Sequence, residues 1–278
     1  MQESSMLKIE HALPDPRLAP YISAFVQRDF SISGLEIEEP VVARLGLMLE
    51  FQFRDLYQIV AFDVDLGDRA SPVTVIGPIS RRRVRLVIRG TVSALAVIFT
   101  PSGFHRLFGV PASPLADLGT EAHAVLGAEI IDIYQQLGNT ASFAQRAKLL
   151  NRFFLKRGRL SSPRQDALIG LRALVHSVAR PSVAEIAKDA GLSSRQLERK
   201  CLEYFGVSPV MLARISRFQR ALKSASADNG NSLLRVAHAL DYYDQMHMVR
   251  DFHAFAGGPP KRTLASLAPY HLIHFQRP

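Results

Sequence analysis

The sequence predicts an α+β chain of two domains, a β-rich sandwich or barrel followed by an all-helical C-terminal domain. Three observations predict it. Short runs of β-branched and aromatic residues recur between residues 41 and 99. From Pro101 onward the apolar residues fall three and four apart, the spacing of a helix face. The 278 residues, at about 150 per domain, give two domains rather than one or four.

Residues 41–53 are read as extended and end in alternation. Residues 57–62 are a second run, and Val73-Thr74-Val75-Ile76 is a third that stops at Gly77-Pro78. Residues 83–90 and 92–99 are expected to be two further strands. Residues 101–109 read as a short helix closed by Gly109, and residues 120–137 and 142–156 as two amphipathic helices. The basic stretch Lys156-Arg157-Gly158-Arg159-Leu160-Ser161-Ser162-Pro163-Arg164 reads as a link. It sets the expected domains at 1–158 and 165–268. The second opens on a helix over residues 165–177, ended by Pro181.

Composition narrows the class. With 47% hydrophobic and 21% charged residues, the chain is globular rather than disordered or fibrous. No apolar run reaches the roughly 18 residues that a membrane helix needs. The opening residues lack a basic region followed by an apolar one, so the expected compartment is the cytoplasm. The one cysteine, Cys201, excludes an internal disulfide and a cysteine-based zinc site. The net charge is +9, and residues 165–278 carry +6 of it. An excess concentrated there favours a polyanionic partner.

Residues 182–209 spell a helix-turn-helix. Ser182 is placed to cap a helix whose apolar positions are Val183, Ile186, Ala187 and Ala190. Ala187 is small enough for a close crossing. Gly191 supplies a left-handed turn. Ser193 or Ser194 caps the next helix, which ends at Gly206. That helix is expected to bury Leu197, Cys201, Leu202 and Phe205, and to offer Ser194, Arg195, Glu198 and Arg199 outward. Arginine forks match guanine edges in a major groove, and polar or acidic groups select among bases.

The pattern then repeats. Ser232, Val236, Ala237 and Asp241 stand where Ser182, Ile186, Ala187 and Gly191 stood, at an offset of 50. Met248, Arg250, Phe252, Gly257 and Pro260 match Leu197, Arg199, Cys201, Gly206 and Pro209 at an offset of 51. One residue has been added to the second turn. The amphipathic stretch 210–224 joins the two units into a tandem reader.

On these residues the chain resembles the arabinose-regulator (AraC/XylS) family of bacterial transcription factors. The resemblance is carried by Ala187-Lys188-Asp189-Ala190-Gly191-Leu192-Ser193, Leu197-Glu198-Arg199, Gly206-Val207-Ser208-Pro209, residues 244–252 and Gly257-Gly258-Pro259-Pro260. It covers residues 165–268. It implies base-reading positions at Arg195, Glu198 and Arg199 and at Gln245, Met246, His247 and Arg250. It also implies promoter DNA as the partner, contact with RNA polymerase, and no cofactor. Asp15-Pro16-Arg17-Leu18, Ile76-Gly77-Pro78 and residues 97–111 resemble the N-terminal domains that accompany such readers. The resemblance therefore implies a cupin-like barrel with trailing helices, an effector of unknown identity, and a homodimer through residues 120–156.

The chain departs from the family pattern at Asp241, where glycine is usual, and at Met246, where a small polar residue is usual. Met246 donates no hydrogen bond, so base readout and a mere backbone grip both stay open for the second unit. Other features have bland and sharp readings. Cys201 reads as a core residue rather than a redox switch. His271-x-x-His274 lacks a third metal ligand. Arg81, Arg82, Arg83 and Arg85 read as a solvated turn or an anion-binding patch. Tyr21, Phe25, Phe51, Phe53, Phe62 and Phe99 read as core or as a pocket lining. Residues 12–104 contain no histidine, which disfavours a metal-dependent cupin enzyme.

The primary expectation is thus an effector-controlled, sequence-specific regulator that catalyses nothing. The alternatives are a DNA-repair-type enzyme fused to a DNA-binding module, which would need a reactive Cys201, and a degenerate module without specific DNA binding.

Overall fold

The computed structural model describes residues 7–56, 58–61, 71–80, 84–158, 182–227 and 232–266. Its N-terminal strands are β1 (Lys8–Ala12), β2 (Ile22–Pro40), β3 (Met48–Gln52), β4 (Gln58–Ala61), β5 (Val73–Ile76), β6 (Val84–Phe99) and β7 (Gly119–Glu121). They form one antiparallel sheet in the order β1-β2-β6-β3-β5-β7, with β4 also paired to β6.

Alternation along the strands gives this sheet two different faces. Phe25, Leu49 and Val97 stand in register, with Phe51 opposite Leu95. This face is covered by α1 (Gly103–Phe108), α3 (Glu129–Gly138) and α4 (Phe143–Gly158), whose Phe104, Ile130, Leu137, Leu150 and Phe154 join it in one core. Phe99 meets Phe104 edge-on at 5.3 Å and Phe154 at 5.8 Å. Phe25, Phe51 and Phe99 thus lie in the layer between sheet and helices. Tyr21 and Phe53 sit at the margin of the same core, under the guanidinium groups of Arg106 and Arg146 at 4.3 Å each. Ala24, Val26, Arg28, Glu50, Ala94, Ala96 and Ile98 occupy the opposite face.

Three elements differ from the sequence expectation. β2 escapes a period-2 search because Ala24, Phe25, Val26, Gln27 and Arg28 are all buried, so its two faces do not contrast. β6 is one strand of 16 residues rather than two. Gly90 lies inside it at φ +71 and bends the chain without ending the pairing. The stretch 120–137 is not one helix. Gly127 at φ +80 separates α2 (Ala122–Leu126) from α3, and the preceding residues form β7 against β5.

The C-terminal domain holds α5 (Val183–Asp189), α6 (Ser194–Phe205), α7 (Pro209–Ala227), α8 (Leu233–Ala239), α9 (Gln245–Ala256) and α10 (Pro260–Ser266). Leu212, Ile215, Phe218, Ala221 and Leu222 of α7 form the spine of its core, into which both helical pairs pack. Val42 and Ala43 of the N-terminal domain enter this core too. The expected helix over residues 165–177, Phe62, the triplet Arg81 to Arg83, and His271 with His274 lie outside the described residues.

Candidate nucleic-acid interface

Each helix-turn-helix is fixed by local chemistry. Ser182 accepts from the amide of Glu185 at 3.2 Å, and the Glu185 carboxylate accepts from the amide of Ser182 at 2.6 Å. This capping box satisfies two orphan donors. It also holds the Glu185 carboxyl below the usual carboxylate range. Gly191 turns the chain at φ +64, and the amide of Leu192 returns to the carbonyl of Ala187 at 2.8 Å. Ser193, in extended backbone, then caps α6 through a second capping box with Gln196. Ser194 is thus the first helical residue rather than the cap.

On α6, Leu197, Cys201 and Phe205 face the core. Ser194, Arg195, Glu198 and Arg199 are exposed on the opposite side. Leu202, expected in the core, is 37% exposed. It follows Glu198 by four and Arg199 by three, which places it on the outer stripe.

The second unit copies this geometry with different parts. Asp241 adopts φ +56 where Gly191 stood, and the amide of Tyr242 bonds the carbonyl of Ala237 at 3.0 Å. Ser232 precedes α8 but makes no side-chain cap bond, because its backbone lies at φ −131, ψ 58, away from capping geometry. Asp244 caps α9 by accepting from the amide of His247 at 2.5 Å. Met248, Phe252 and Phe255 face inward. Met246 is 59% exposed and Arg250 is exposed, whereas Gln245 and His247 are half-buried. The His247 ring stands edge-on to Tyr242 at 5.5 Å.

Sequence reasoning missed the residue that fixes α9. Asp251 is 1% exposed and takes Arg214 at 2.7 Å and Arg217 at 3.5 Å, both from α7. The Arg217 guanidinium lies over the Tyr242 ring at 4.5 Å. Burial, with Asp251 beside it, raises the pKa of the Tyr242 hydroxyl. An acidic residue one step past Arg250 in an otherwise apolar stripe was the available signal. The 19 residues of α7 extend about 28 Å, close to the roughly 34 Å between successive major-groove segments on one face of a duplex.

Cys201 is fully buried, and burial pushes its thiol up to about 12. It is protonated at neutral pH and has no access to solvent, so it does not supply the nucleophile that an alkyl-acceptor reading needs. Among the described residues no three His, Cys, Asp or Glu side chains are grouped to hold a metal ion. No helix among them is long and apolar enough to cross a membrane.

Residues 186–266 match a family described as a helix-turn-helix domain. With the doubled, matched motif, that identifies the C-terminal domain. The C-terminal domain is an AraC-type helix-turn-helix domain. Residues 10–121, ahead of it, match a domain of unknown function (DUF6597). No curated protein matches the chain in sequence. The fold of the whole chain is similar to that of ToxT from Vibrio cholerae. An apo variant of ToxT aligns with TM-score 0.51 at 13% identity, over 88% of this chain and 98% of ToxT. ToxT bound to (E)-4-(8-methylnaphthalen-1-yl)but-3-enoic acid aligns with TM-score 0.50 at 12% identity, over 96% of this chain and 100% of ToxT. The AraC-type domain here thus sits behind an antiparallel sheet domain, in the same two-domain order.

Proposed function

We propose that the chain is a non-enzymatic, sequence-specific DNA-binding transcription regulator acting in the cytoplasm. Its N-terminal domain binds a small-molecule effector. The observation that carries the reading is the pair of matched, independently capped helix-turn-helix units, each with an exposed arginine on its second helix, held apart by α7. In this reading α6 enters one major-groove segment with Ser194, Arg195, Glu198 and Arg199. The neighbouring segment receives α9, with Gln245, Met246, His247 and Arg250. A structure of ToxT with a small organic molecule bound supports the effector part, since a protein of this fold takes such a ligand. Dimerisation through residues 120–156 and contact with RNA polymerase belong to the same reading. So does a boundary between domains 1–158 and 165–268.

Met246 favours one refinement. An exposed thioether donates no hydrogen bond, so α9 relies on Arg250 and the backbone more than α6 does.

The test is fluorescence anisotropy on a labelled duplex across a salt series. Affinity is expected to fall linearly in log–log form, because phosphate-bound Lys and Arg release counterions. Arg199→Ala is expected to cost about 1–3 kcal/mol and to relax sequence preference. Binding and preference unchanged by Arg199→Ala would overturn this docking of α6.

A further inference from the structure

The second helix-turn-helix has one more residue in its turn than the first, and the backbone shows which one it is. The amide of Tyr242 bonds the carbonyl of Ala237 as that of Leu192 bonds the carbonyl of Ala187. Asp244 then caps α9 as Ser193 caps α6. Tyr243, between them, has no counterpart between Leu192 and Ser193. It is 86% exposed, the most exposed large apolar side chain among the described residues. A residue just ahead of a helix cap often packs on the fourth residue of that helix. Here that residue is Met248, which is fully buried while Tyr243 stands in solvent, so Tyr243 does not fasten α9.

The first turn of α9 turns one side chain fully outward. Gln245 and His247 are half-buried and Met248 is buried, whereas Met246 is 59% exposed. At the offset of 51, Met246 stands where α6 has the exposed Arg195. Arg250 follows Met246 by four and is exposed too, so the two share a stripe. The N-terminal residues of the second helix are those that reach base edges in a helix-turn-helix. Single apolar side chains on a surface are ordinary. Two of them at that end of that helix, with an arginine on the same stripe, suit a partner that is anionic at its rim and offers apolar groups at its floor. The major groove is such a surface. Phosphates border it, and the 5-methyl group of thymine is the apolar feature among the base edges.

We infer that Met246 is a specificity-determining residue that selects thymine, by apolar contact of its thioether chain with the 5-methyl group, and that Tyr243 adds a sequence-independent contact in which its hydroxyl donates to a phosphate oxygen. The proposal rests on the DNA-binding reading above and names what the second unit reads. An unbranched thioether moulds itself to a methyl group and demands no hydrogen-bond geometry. Against adenine or guanine it would cover the N7 acceptor without pairing it, and against cytosine the N4 donor, each at a desolvation cost. The two units therefore read by different chemistry. Arg195 on α6 offers a donor fork that matches guanine, and Met246 at the equivalent place on α9 offers an apolar surface that matches thymine.

The experiment selects bound duplexes with the full chain from one random pool made twice, with thymidine and with deoxyuridine, which lacks only the 5-methyl group. The thymidine pool is expected to yield two blocks, with thymine in the block that Arg199→Ala leaves unchanged, the block of α9. The deoxyuridine pool is expected to keep the α6 block and lose that preference. In anisotropy, deoxyuridine in place of that thymine is expected to weaken the wild type by about fourfold, the effect of one buried methyl group, and to leave Met246→Ala unaffected. Met246→Gln is expected to exchange thymine for adenine, whose N6 and N7 a glutamine pairs. Tyr243→Phe is expected to weaken both duplexes alike, by about fivefold, the effect of one hydrogen bond. Both side chains are exposed, so these variants leave the core intact.

Equal affinity of the wild type for the thymine and deoxyuridine duplexes would overturn the thymine contact. So would the same fourfold difference in Met246→Ala, or two blocks with no thymine in the second. Unchanged affinity in Tyr243→Phe would overturn the phosphate contact. In each of these cases an enriched motif remains, so the contact falls and the regulator reading stands. A pool that yields no motif at all would bring down both.

Discussion

The backbone amide of Ala43, in the N-terminal domain, donates to the carbonyl of Phe255 in the last turn of α9 at 2.8 Å. The amide of Ala112 does the same for the carbonyl of Glu203, near the end of α6, also at 2.8 Å. The last four carbonyls of a helix have no donor within it. The N-terminal domain thus completes the C-terminal ends of both candidate recognition helices. Beside the second contact, the His105 ring lies 4.3 Å from that of Tyr204, and its Nε2 is 3.5 Å from the Glu203 carboxylate. A Cβ on Gly206 would come within 2.9 Å of the carbonyl of Ala112, so the approach depends on glycine there.

Ala112→Pro tests this docking. Ala112 has φ −80, near the value proline imposes, so the substitution leaves its own backbone unstrained, deletes the N–H donor and drives the ring Cδ toward the Glu203 carbonyl. The expected cost is about 3 kcal/mol, with faster amide exchange at the end of α6. Unchanged exchange there would mean that the bond does not hold α6.

Asp251 is the anchor of α9. Asp251→Ala leaves Arg214 and Arg217 without their buried carboxylate and is expected to cost about 3 kcal/mol in urea unfolding. Asp251→Asn keeps the shape and should cost less. Equal, small losses in both would make the carboxylate dispensable.

Asp241→Gly should stabilise the chain. Asp241 holds φ +56, a conformation that costs an L-residue about 1 kcal/mol and glycine almost nothing. The expected gain is about 0.5–1 kcal/mol in the urea midpoint, with DNA affinity unchanged. A loss of stability would mean that the Asp241 side chain contributes more than the turn costs.

Alkaline pH should destabilise the fold through Cys201 and Tyr242, whose pKa values both rise on folding. The folded chain keeps protons that the unfolded chain releases, so stability falls as pH rises. For the thiol the window runs from its unfolded value of 9.0 to about 12. Urea midpoints across that window should drop, and Cys201→Ala should flatten part of the slope. An identical slope in Cys201→Ala would contradict the burial of this thiol as its cause.

Much of this architecture was readable because it rests on short-range rules. Ser182, Gly191, Gly206 and Gly257 punctuate the helices, and the offset between Ala187 and Ala237 exposed the duplication directly. Ser232 misled because a serine at the right offset does not cap unless its backbone is extended, and Asp244 carries the second cap's chemistry instead. Gly90 and Gly127 look alike in sequence, yet one bends a strand and the other divides a helix, since partner strands decide which. Arg28 and Glu50 were invisible as a pair. They come together only through the pairing of β2 and β3 across β6, which no local pattern encodes. Asp251 stood out locally as an acid in an apolar stripe, but its partners Arg214 and Arg217 lie on α7 and were not legible.

The central claim is that two helix-turn-helix units read one duplex together. Selection of bound duplexes from a random pool, with the full chain at near-physiological salt, tests it most directly. The expected result is an enriched motif of two blocks about one helical turn apart, the block read by α6 being the stronger. Enrichment of no motif, with binding that depends on salt alone, would contradict it.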